Sequence, residues 1–215
     1  MTPLPAATLT LTLTILDFAA VALFAATGAV AAARKGMDII GLIWLAAVTG
    51  VGGGTVRDLL LGLPVFWVYQ PAYIGIAAAV SVLVFFLAKV PARSESVLLW
   101  LDALGLAFVS VAGAGKALDF GAPAATAVLM GVFTGTLGGV LRDVLAQEPS
   151  VLLRKEIYIT ASLLGAAVYV LAIKLGVGGP AASLIGIAAG FGLRAGAMLR
   201  GWSLPGARLG RDNVG

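Results

Sequence analysis

Residues 50–64 read GVGGGTVRDLLLGLP, and residues 135–149 repeat this pattern as GTLGGVLRDVLAQEP. The two copies lie 85 positions apart, and the same offset relates other residues without a gap. The further matched pairs are Asp17 and Asp102, Gly28 and Gly113, Gly36 and Gly121, and Tyr73 and Tyr158. Because an internal duplication sets the architecture of a chain, we expect a fold built from two related halves.

The composition is that of a membrane protein. Of the 215 residues, 60% are hydrophobic and 11% are charged, whereas about a quarter of the residues in soluble proteins are charged. The charges leave apolar stretches of about 20 residues, the length needed to cross roughly 30 Å of hydrocarbon. We predict a single all-α transmembrane domain, residues 1–215, with seven spans at 15–33, 39–62, 72–89, 97–118, 122–146, 156–175 and 180–200.

The distribution of lysine and arginine predicts the orientation in the membrane. Arg57 and Arg142 lie inside the repeated motif and are not counted. The side opposite the predicted cytoplasm holds only Lys116 and Lys174, and the positive-inside rule assigns the richer side to the cytoplasm. We therefore expect an inner-membrane protein with its N-terminus outside, a retained first helix, and a cytoplasmic tail at 201–215. The ten basic residues on the cytoplasmic side are Arg34, Lys35, Lys89, Arg93, Arg154, Lys155, Arg194, Arg200, Arg208 and Arg211.

The repeat period predicts that the second copy is inverted. A period of 85 residues holds three spans, and an odd number makes the second copy enter the membrane from the opposite side. We predict two inverted three-helix repeats, at about 15–90 and 97–175, and a seventh helix at about 180–200. In such folds the functional site lies near the midplane where the repeats meet. Here the second and fifth spans form that interface.

Glycines line one face of both of these spans. A glycine in a helix interior costs about 1 kcal/mol relative to alanine, so the clusters need compensation. At Gly131, Gly135, Gly186 and Gly190 the four-residue spacing favours close helix packing. At 52–54 and 138–139 we expect a kink or local unwinding that turns carbonyl oxygens toward a cation. The candidate pathway glycines are Gly50, Gly52, Gly53, Gly54, Gly135, Gly138 and Gly139.

Charged pairs follow the glycines: Arg57 with Asp58, and Arg142 with Asp143. A charge within the bilayer costs at least about 2.5 kcal/mol, so such residues usually face the bundle interior and mark an ion or substrate path. The alternatives are a structural Arg–Asp pair or snorkelling to the membrane surface. Since adjacent helical residues point about 100° apart, we expect each charge to pair across helices. Lys116 either snorkels outward, or it meets Asp58 or another group of the second span and sets a charge barrier in the pathway.

Four other polar residues are candidates with weaker support. Asp17 and Asp102 are interpreted as carboxylates that favour a helix N-terminus. Tyr73 and Tyr158 begin the third and sixth spans, and they are either interface anchors or hydroxyls turned into the pathway.

The composition also excludes several functions. The chain has no cysteine or histidine, which removes disulfides, thiol chemistry, the usual zinc sites and imidazole catalysis. The intramembrane carboxylates lie beside arginines, which keep them ionised and make them poor general acids. We predict no enzyme activity, no cofactor, no metal site and no nucleic-acid partner. Topology explains the basic excess, and anionic membrane lipids are the expected surface partners.

The paired GxGGxxRD-like motifs at 50–58 and 135–143, within seven spans, resemble those of the bacterial and archaeal TRIC (trimeric intracellular cation) channel family. The same domain is also described as a glycine transporter. The resemblance covers about 15–200 and implies a homotrimer in which each protomer has its own pore, bounded by the kinked second and fifth spans. It implies conduction of monovalent cations, mainly potassium. It also associates the charged pairs of both motifs with the pore.

Two functional hypotheses remain open. The first is a potassium-permeable channel, in which Asp58 or Asp143 offsets the hydration that a cation loses. In the second copy Leu137 replaces Gly52, so the fifth span is expected to bend less. The alternative is a secondary transporter for a small zwitterion such as glycine, because inverted repeats with broken helices are also typical of transporters.

Overall fold

The computed structural model describes residues 6–87, 94–150 and 157–203. Seven of the helices in these residues lie on the seven predicted spans, and a four-residue helix lies between the second and third. The predicted ends at 89 and 156 fall outside the described residues. The helices are α1 (Ala6–Arg34), α2 (Ile39–Leu60), α3 (Phe66–Tyr69), α4 (Ala72–Leu87), α5 (Ser94–Asp119), α6 (Ala124–Leu145), α7 (Ile159–Lys174) and α8 (Gly179–Arg200).

Helix length and composition agree with a membrane protein. Among the described helices, α1, α2, α5, α6 and α8 are long and apolar enough to cross a membrane. Helices α4 and α7 are apolar but have 16 residues each, which corresponds to about 24 Å of a hydrocarbon core roughly 30 Å thick. The predicted all-helical class is confirmed. The number of membrane crossings stays a prediction.

The two copies of the repeat form equivalent helices and turns. Helices α2 and α6 have 22 residues each and begin 85 positions apart. The turns after α1 and α5 both place a glycine at positive φ, 68° at Gly36 and 77° at Gly121. The turns after α2 and α6 also match, with φ 68° at Gly62 and 52° at Gln147. Glycine adopts positive φ without a steric clash because it has no Cβ, whereas Gln147 adopts positive φ although it has one.

Helices α2 and α6 cross each other at reciprocal positions. A Cβ at Gly53 would lie against the carbonyl oxygen of Thr134 on α6. A Cβ at Gly138 would lie 2.7 Å from the carbonyl oxygen of Thr49 on α2. The two contacts are the same contact made in both directions, because Gly53 matches Gly138 and Thr49 matches Thr134. The early residue of each helix meets the later residue of the other, so the helices run antiparallel.

The remaining helices surround this crossing. Helix α1 packs on α2 and α4, α5 packs on α6 and α7, and α1 also contacts α5. Helix α8 packs on α5 and α7 and has no counterpart in the repeat. A Cβ at Gly190 would lie 3.1 Å from the carbonyl oxygen of Ala161 on α7. Comparable contacts confirm the predicted close packing at Gly131, Gly135, Gly186 and Gly190.

Candidate functional site: two buried charge clusters

The first charge cluster consists of Asp17 on α1, Arg57 and Asp58 near the end of α2, and Lys116 near the end of α5. Arg57 Nε donates to Asp58 Oδ1 at 2.8 Å, and Arg57 Nη1 lies 3.4 Å from Asp17 Oδ1. Lys116 Nζ lies 3.0 and 3.1 Å from the two carboxylate oxygens of Asp58. Arg57 and Asp58 are buried. Of the two interpretations of Lys116, the structure shows the contact with Asp58.

Phe66 on α3 closes this cluster. Its backbone N–H donates to Asp58 Oδ2 at 3.0 Å. The centroid of its ring lies 5.6 Å from Arg57 Cζ and 5.5 Å from Lys116 Nζ, within the range of cation–π attraction. A Cβ at Gly54 would lie 2.7 Å from the ring, so this glycine makes room for it. Sequence reasoning missed Phe66, since its position depends on how the short connection folds back.

The second charge cluster consists of Asp102 on α5 and of Arg142 and Asp143 near the end of α6. Arg142 Nη1 lies 2.7 Å from Asp102 Oδ1. Arg142 Nε and Nη2 both donate to Asp143 Oδ1, at 3.0 and 2.8 Å. All three side chains are buried. The three residues match Asp17, Arg57 and Asp58 at the repeat offset, so the duplication built the same arrangement twice.

Two expectations about these charges are corrected. Each arginine pairs across helices as predicted, but it also bonds the aspartate next to it, as Arg57 does with Asp58. The long arginine side chain folds back over the helix surface and bridges the angle between neighbouring positions. Asp17 and Asp102 lie well inside α1 and α5, and both are ion-pair partners of the motif arginines. Their interpretation as residues at a helix N-terminus is wrong.

The motif glycines lie inside continuous helices. Both α2 and α6 are α-helical without interruption from beginning to end. The prediction of local unwinding at Gly52, Gly53, Gly54, Gly138 and Gly139, with carbonyls freed for a cation, is therefore wrong. Leu137 does not distinguish the two helices in this respect, because both are uninterrupted.

Close contacts compensate for the glycines instead. A Cβ at Gly50 would lie 3.1 Å from the carbonyl oxygen of Val21 on α1, and a Cβ at Gly52 would lie 2.6 Å from Leu141 Cδ1 on α6. The same holds for two other motif glycines: a Cβ at Gly135 would lie 2.5 Å from Ser110 Oγ, and a Cβ at Gly139 would lie 2.6 Å from Tyr158 Oη. The missing side chains thus let helix backbones and polar groups approach each other.

Both repeated tyrosines are buried in the bundle. The ring of Tyr73 stacks on Phe18, with centroids 4.2 Å apart, and meets Phe66 edge-on at 4.6 Å. Tyr158 lies beside the second charge cluster, and the guanidinium of Arg194 lies over its ring. Their interpretation as interface anchors is wrong, since both side chains are packed inside the bundle and expose almost no surface. Their role as pathway hydroxyls stays a prediction.

Arg194 on α8 is a buried cation that sequence reasoning placed at the membrane surface. Its residue is 1% exposed, and its Cζ lies 5.4 Å from the Tyr158 ring centroid. A usable sequence signal existed, because Arg194 falls well inside the predicted span at 180–200 and a full helical turn before Arg200. Because Arg194 lies close in sequence to the other arginines of the C-terminal segment, it was counted with them at the membrane surface.

Two cavities open at opposite ends of the bundle. One, of about 380 Å³, is lined by members of the first charge cluster, Asp17 and Lys116, and by Phe66, Tyr73 and Asp119. The other, of about 680 Å³, lies between α5 and α8. Its lining includes Glu95, Trp100, Arg194 and Trp202. Each cavity is therefore lined by one basic side chain that belongs to a charge cluster or lies beside one. These side chains are Lys116 at one end and Arg194 at the other.

The described residues contain no group of three or more histidine, cysteine or acidic side chains arranged to hold a metal ion. Their polar interior is instead made of arginine–carboxylate pairs set among apolar helices. Isolated charges in a membrane interior are costly, and those that are kept usually mark a path for ions or solutes. Fold and site together define a polytopic helical membrane protein with charged groups along its interior.

Comparison with known proteins supports this class. A family model described as Glycine transporter matches the chain at 14–89 and again at 99–174. The chain is 38% identical over 193 residues to a UPF0126 membrane protein of Vibrio cholerae, covering 89% of this chain and 81% of the relative. It is 44% identical over 156 residues to the UPF0126 inner membrane protein YadS of Escherichia coli K12, covering 72% of this chain and 75% of the relative.

The fold is also that of solved channel structures. The structure of a TRIC trimeric intracellular cation channel orthologue from Rhodobacter sphaeroides superposes with a TM-score of 0.85 at 49% identity. The match covers 88% of this chain and 98% of that one. The chain belongs to the TRIC channel family, whose domain model is described as Glycine transporter. The family comprises membrane proteins, so the prediction that the chain is not an enzyme is confirmed.

Proposed function

We propose that the protein is a potassium-permeable cation channel, assembled as a homotrimer with one pore in each protomer. The related structure from Rhodobacter sphaeroides is described as a trimeric intracellular cation channel. The observation that carries the proposal is the pair of buried charge clusters, each built around an Arg–Asp pair on one of the two helices, α2 and α6, that cross at the centre of the bundle. We assign the pathway to the space around α2 and α6, between the two clusters.

The carboxylates are the groups that act on a passing cation. Asp58 and Asp143 lie on α2 and α6, where their charge offsets the hydration that a potassium ion loses in a narrow passage. Arg57 and Arg142 hold these carboxylates in place through the bonds described above. Since α2 and α6 are continuous helices, we assign to these carboxylate side chains the cation contact that was expected of freed backbone carbonyls. Bending at the motif glycines stays a prediction.

Lys116 sets a barrier at the first charge cluster. Its ammonium lies within 3.1 Å of both oxygens of Asp58 and lines the cavity at that end. A cation that approaches from this cavity meets a positive charge before it meets the carboxylate. Passage requires Lys116 to move off Asp58 or to stay screened by water.

We further propose seven membrane crossings in an inner membrane, arranged as two inverted repeats and a seventh helix, α8. The antiparallel, reciprocal crossing of α2 and α6 supports inversion, because an in-plane two-fold axis produces such contacts. Arg34 and Lys35 both lie 3.8 Å from Glu148, at the end of the bundle where basic residues gather. With buried Arg194 left out, nine basic residues face two, which still supports a cytoplasmic C-terminus. Anionic lipids remain the expected surface partners.

Single-channel recording of the purified protein tests this function. The protein is reconstituted into planar bilayers with KCl as the sole salt and no added solute. We expect unitary current steps, and a reversal potential in a KCl gradient that follows the potassium equilibrium potential. Smooth baselines at every voltage, or a reversal potential that follows chloride, would contradict the proposal.

A second candidate function is transport of a small zwitterion, favoured by the description of the matching family model as Glycine transporter. A transporter saturates with substrate and gives no unitary steps. Uptake of radiolabelled glycine into proteoliposomes, measured beside the bilayer recordings, separates the two. Saturable uptake without current steps would replace the channel proposal.

A further inference from the structure

Each end of the bundle has a basic side chain with no matching basic residue at the repeat offset. Lys116 belongs to the second copy, yet it pairs with Asp58 of the first copy. Arg194 belongs to α8, outside both copies, and lies over the ring of Tyr158. The position equivalent to Lys116 in the first copy is Ala31. The two cations are therefore separate additions to a duplicated arrangement.

The surroundings of the two cations are alike. Lys116 Nζ lies 5.5 Å from the centroid of Phe66, and Arg194 Cζ lies 5.4 Å from the centroid of Tyr158. Both distances allow cation–π attraction. Phe66 and Tyr158 in turn contact or adjoin the motif charges of their own cluster. At each end, an aromatic ring thus lies next to an added cation and beside a repeated Arg–Asp pair.

Tyr158 links Arg194 to the second charge cluster. The guanidinium of Arg194 lies over the Tyr158 ring, and the Tyr158 hydroxyl lies beside Gly139 together with Asp102 and Arg142. The position of a Cβ at Gly139 would be 2.6 Å from Tyr158 Oη and 3.4 Å from Asp102 Oδ1, so the hydroxyl and the carboxylate converge there. The second charge cluster and Arg194 together comprise two cations and two carboxylates, as the first charge cluster does, and Glu95 is a further carboxylate that lines the cavity at this end.

Both added cations also line the cavities that open at the two ends. Lys116 lines the cavity of about 380 Å³, and Arg194 lines the cavity of about 680 Å³. Arg194 is 1% exposed, so it presents its charge to that cavity from within the wall. Its charge therefore lies in the low-dielectric wall of the cavity, and its field acts through the cavity water on ions that enter, where dissolved salt screens it.

We propose that Arg194 is a pathway residue at the α8 end, the electrostatic counterpart of Lys116. The proposal rests on the channel function above. The proposal makes α8 part of the permeation pathway. The charge of Arg194 then sets the local potassium concentration at the mouth formed by the cavity between α5 and α8. Lys116 sets it at the other mouth.

The test compares four variants in symmetric KCl: Arg194→Gln, Arg194→Lys, Lys116→Gln and, as the matched control, Arg200→Gln. Arg200 is exposed on the same helix and stacks over Trp202. Loss of a unit charge about 10 Å from the path changes the local ion concentration about twofold. We expect Arg194→Gln to raise current about twofold for potassium entering from its own end, and Lys116→Gln to do so from the opposite end.

Salt dependence separates a charge effect from a structural one. The Debye length falls from about 10 Å at 0.1 M to about 3 Å at 1 M salt, so the asymmetry should shrink at 1 M KCl. Arg194→Lys keeps the charge and should restore the wild-type current ratio. Arg200→Gln removes a charge that is exposed to bulk solvent, and it should change that ratio less than Arg194→Gln does.

Three outcomes would overturn the proposal while the wild-type protein conducts. These are rectification of the same sign in Arg194→Gln and Lys116→Gln, a current ratio independent of salt, and a failure of Arg194→Lys to restore it. If Arg194→Gln does not fold, Arg194→Gln combined with Asp102→Asn restores neutrality, and it should give wild-type rectification. Absence of current in the wild-type protein would instead contradict the channel function itself.

Discussion

The two charge clusters share their repeated residues and differ in how tightly they are closed. In the first, Arg57 lies 3.4 Å from Asp17, whose side chain is 18% exposed toward a cavity. In the second, Arg142 lies 2.7 Å from Asp102, whose side chain is 1% exposed. The same sequence motif therefore produces one cluster that borders open space and one that is sealed within the bundle.

The difference shows that residues outside the motif decide what the motif does. In the first cluster Lys116 and the backbone of Phe66 also bind Asp58, so the carboxylate has several partners. In the second cluster both carboxylates that Arg142 binds are buried, whereas Asp17 in the first is partly exposed. We expect the second cluster to matter more for stability and the first to matter more for ion flow.

The largest expected effect is on stability. Arg142→Gln leaves Asp102 and Asp143 buried without their shared arginine, and breaking a buried pair in this way costs about 3–5 kcal/mol. Arg57→Gln should cost less, about 1–3 kcal/mol, because Asp58 keeps Lys116 and Asp17 is partly exposed. Denaturant unfolding of both variants in the same detergent measures the difference. A loss for Arg57→Gln as large as that for Arg142→Gln would remove the contrast between the clusters.

The crossing of α2 and α6 should respond equally in both halves. Gly53→Ala and Gly138→Ala each place a methyl group against a backbone carbonyl, and overpacking of this kind costs about 1–3 kcal/mol. Gly192→Ala is the control, since a Cβ there meets nothing within 4 Å. Either substitution separates the same two helices, so the double variant should cost less than the sum of the two. Additive losses in unfolding experiments would show that the two contacts are independent.

The smallest expected effect is on current, and it should be asymmetric. Asp58→Asn leaves Lys116 facing an uncharged amide, and a barrier raised by about 1 kcal/mol lowers potassium conductance about fivefold. Asp143→Asn should change conductance less, because the second cluster is sealed. Asp38→Asn is the control, because asparagine caps the start of α2 as well as aspartate does. Unaltered currents in both Asp58→Asn and Asp143→Asn would remove the assigned role.

Sequence predicted the positions of the helices well, because composition and period determine them. The 85-residue offset places α2 and α6 in register before any contact is known. It also identified the four motif charges that the structure buries, since a charge kept in both copies within apolar spans usually faces the bundle interior. Pairing partners were harder to predict, because they depend on which helices pack together.

The motif glycines show why the packing of the helices could not be predicted from the sequence. A glycine that permits close packing and a glycine that permits a broken helix are the same letter in a sequence. Gly53 is distinguished only by the carbonyl of Thr134, 81 residues away along the chain, which no local pattern contains. Arg194 is a different case, because its place well inside the predicted span at 180–200 was a usable signal, and the packing of α8 against α7 and α5 then shows that it is buried.

The reciprocal crossing also bears on how this chain came to be asymmetric. In an ancestor with a single copy that paired with its own antiparallel partner, Gly53 and Gly138 would be one residue, and one codon change would introduce two clashes. Once the copies are fused, each half accumulates changes of its own. Gly52 and Leu137 already differ, and so do Ala31 and Lys116. Fusion of two such copies would free each half to change separately, as these unequal positions show that the two halves have done.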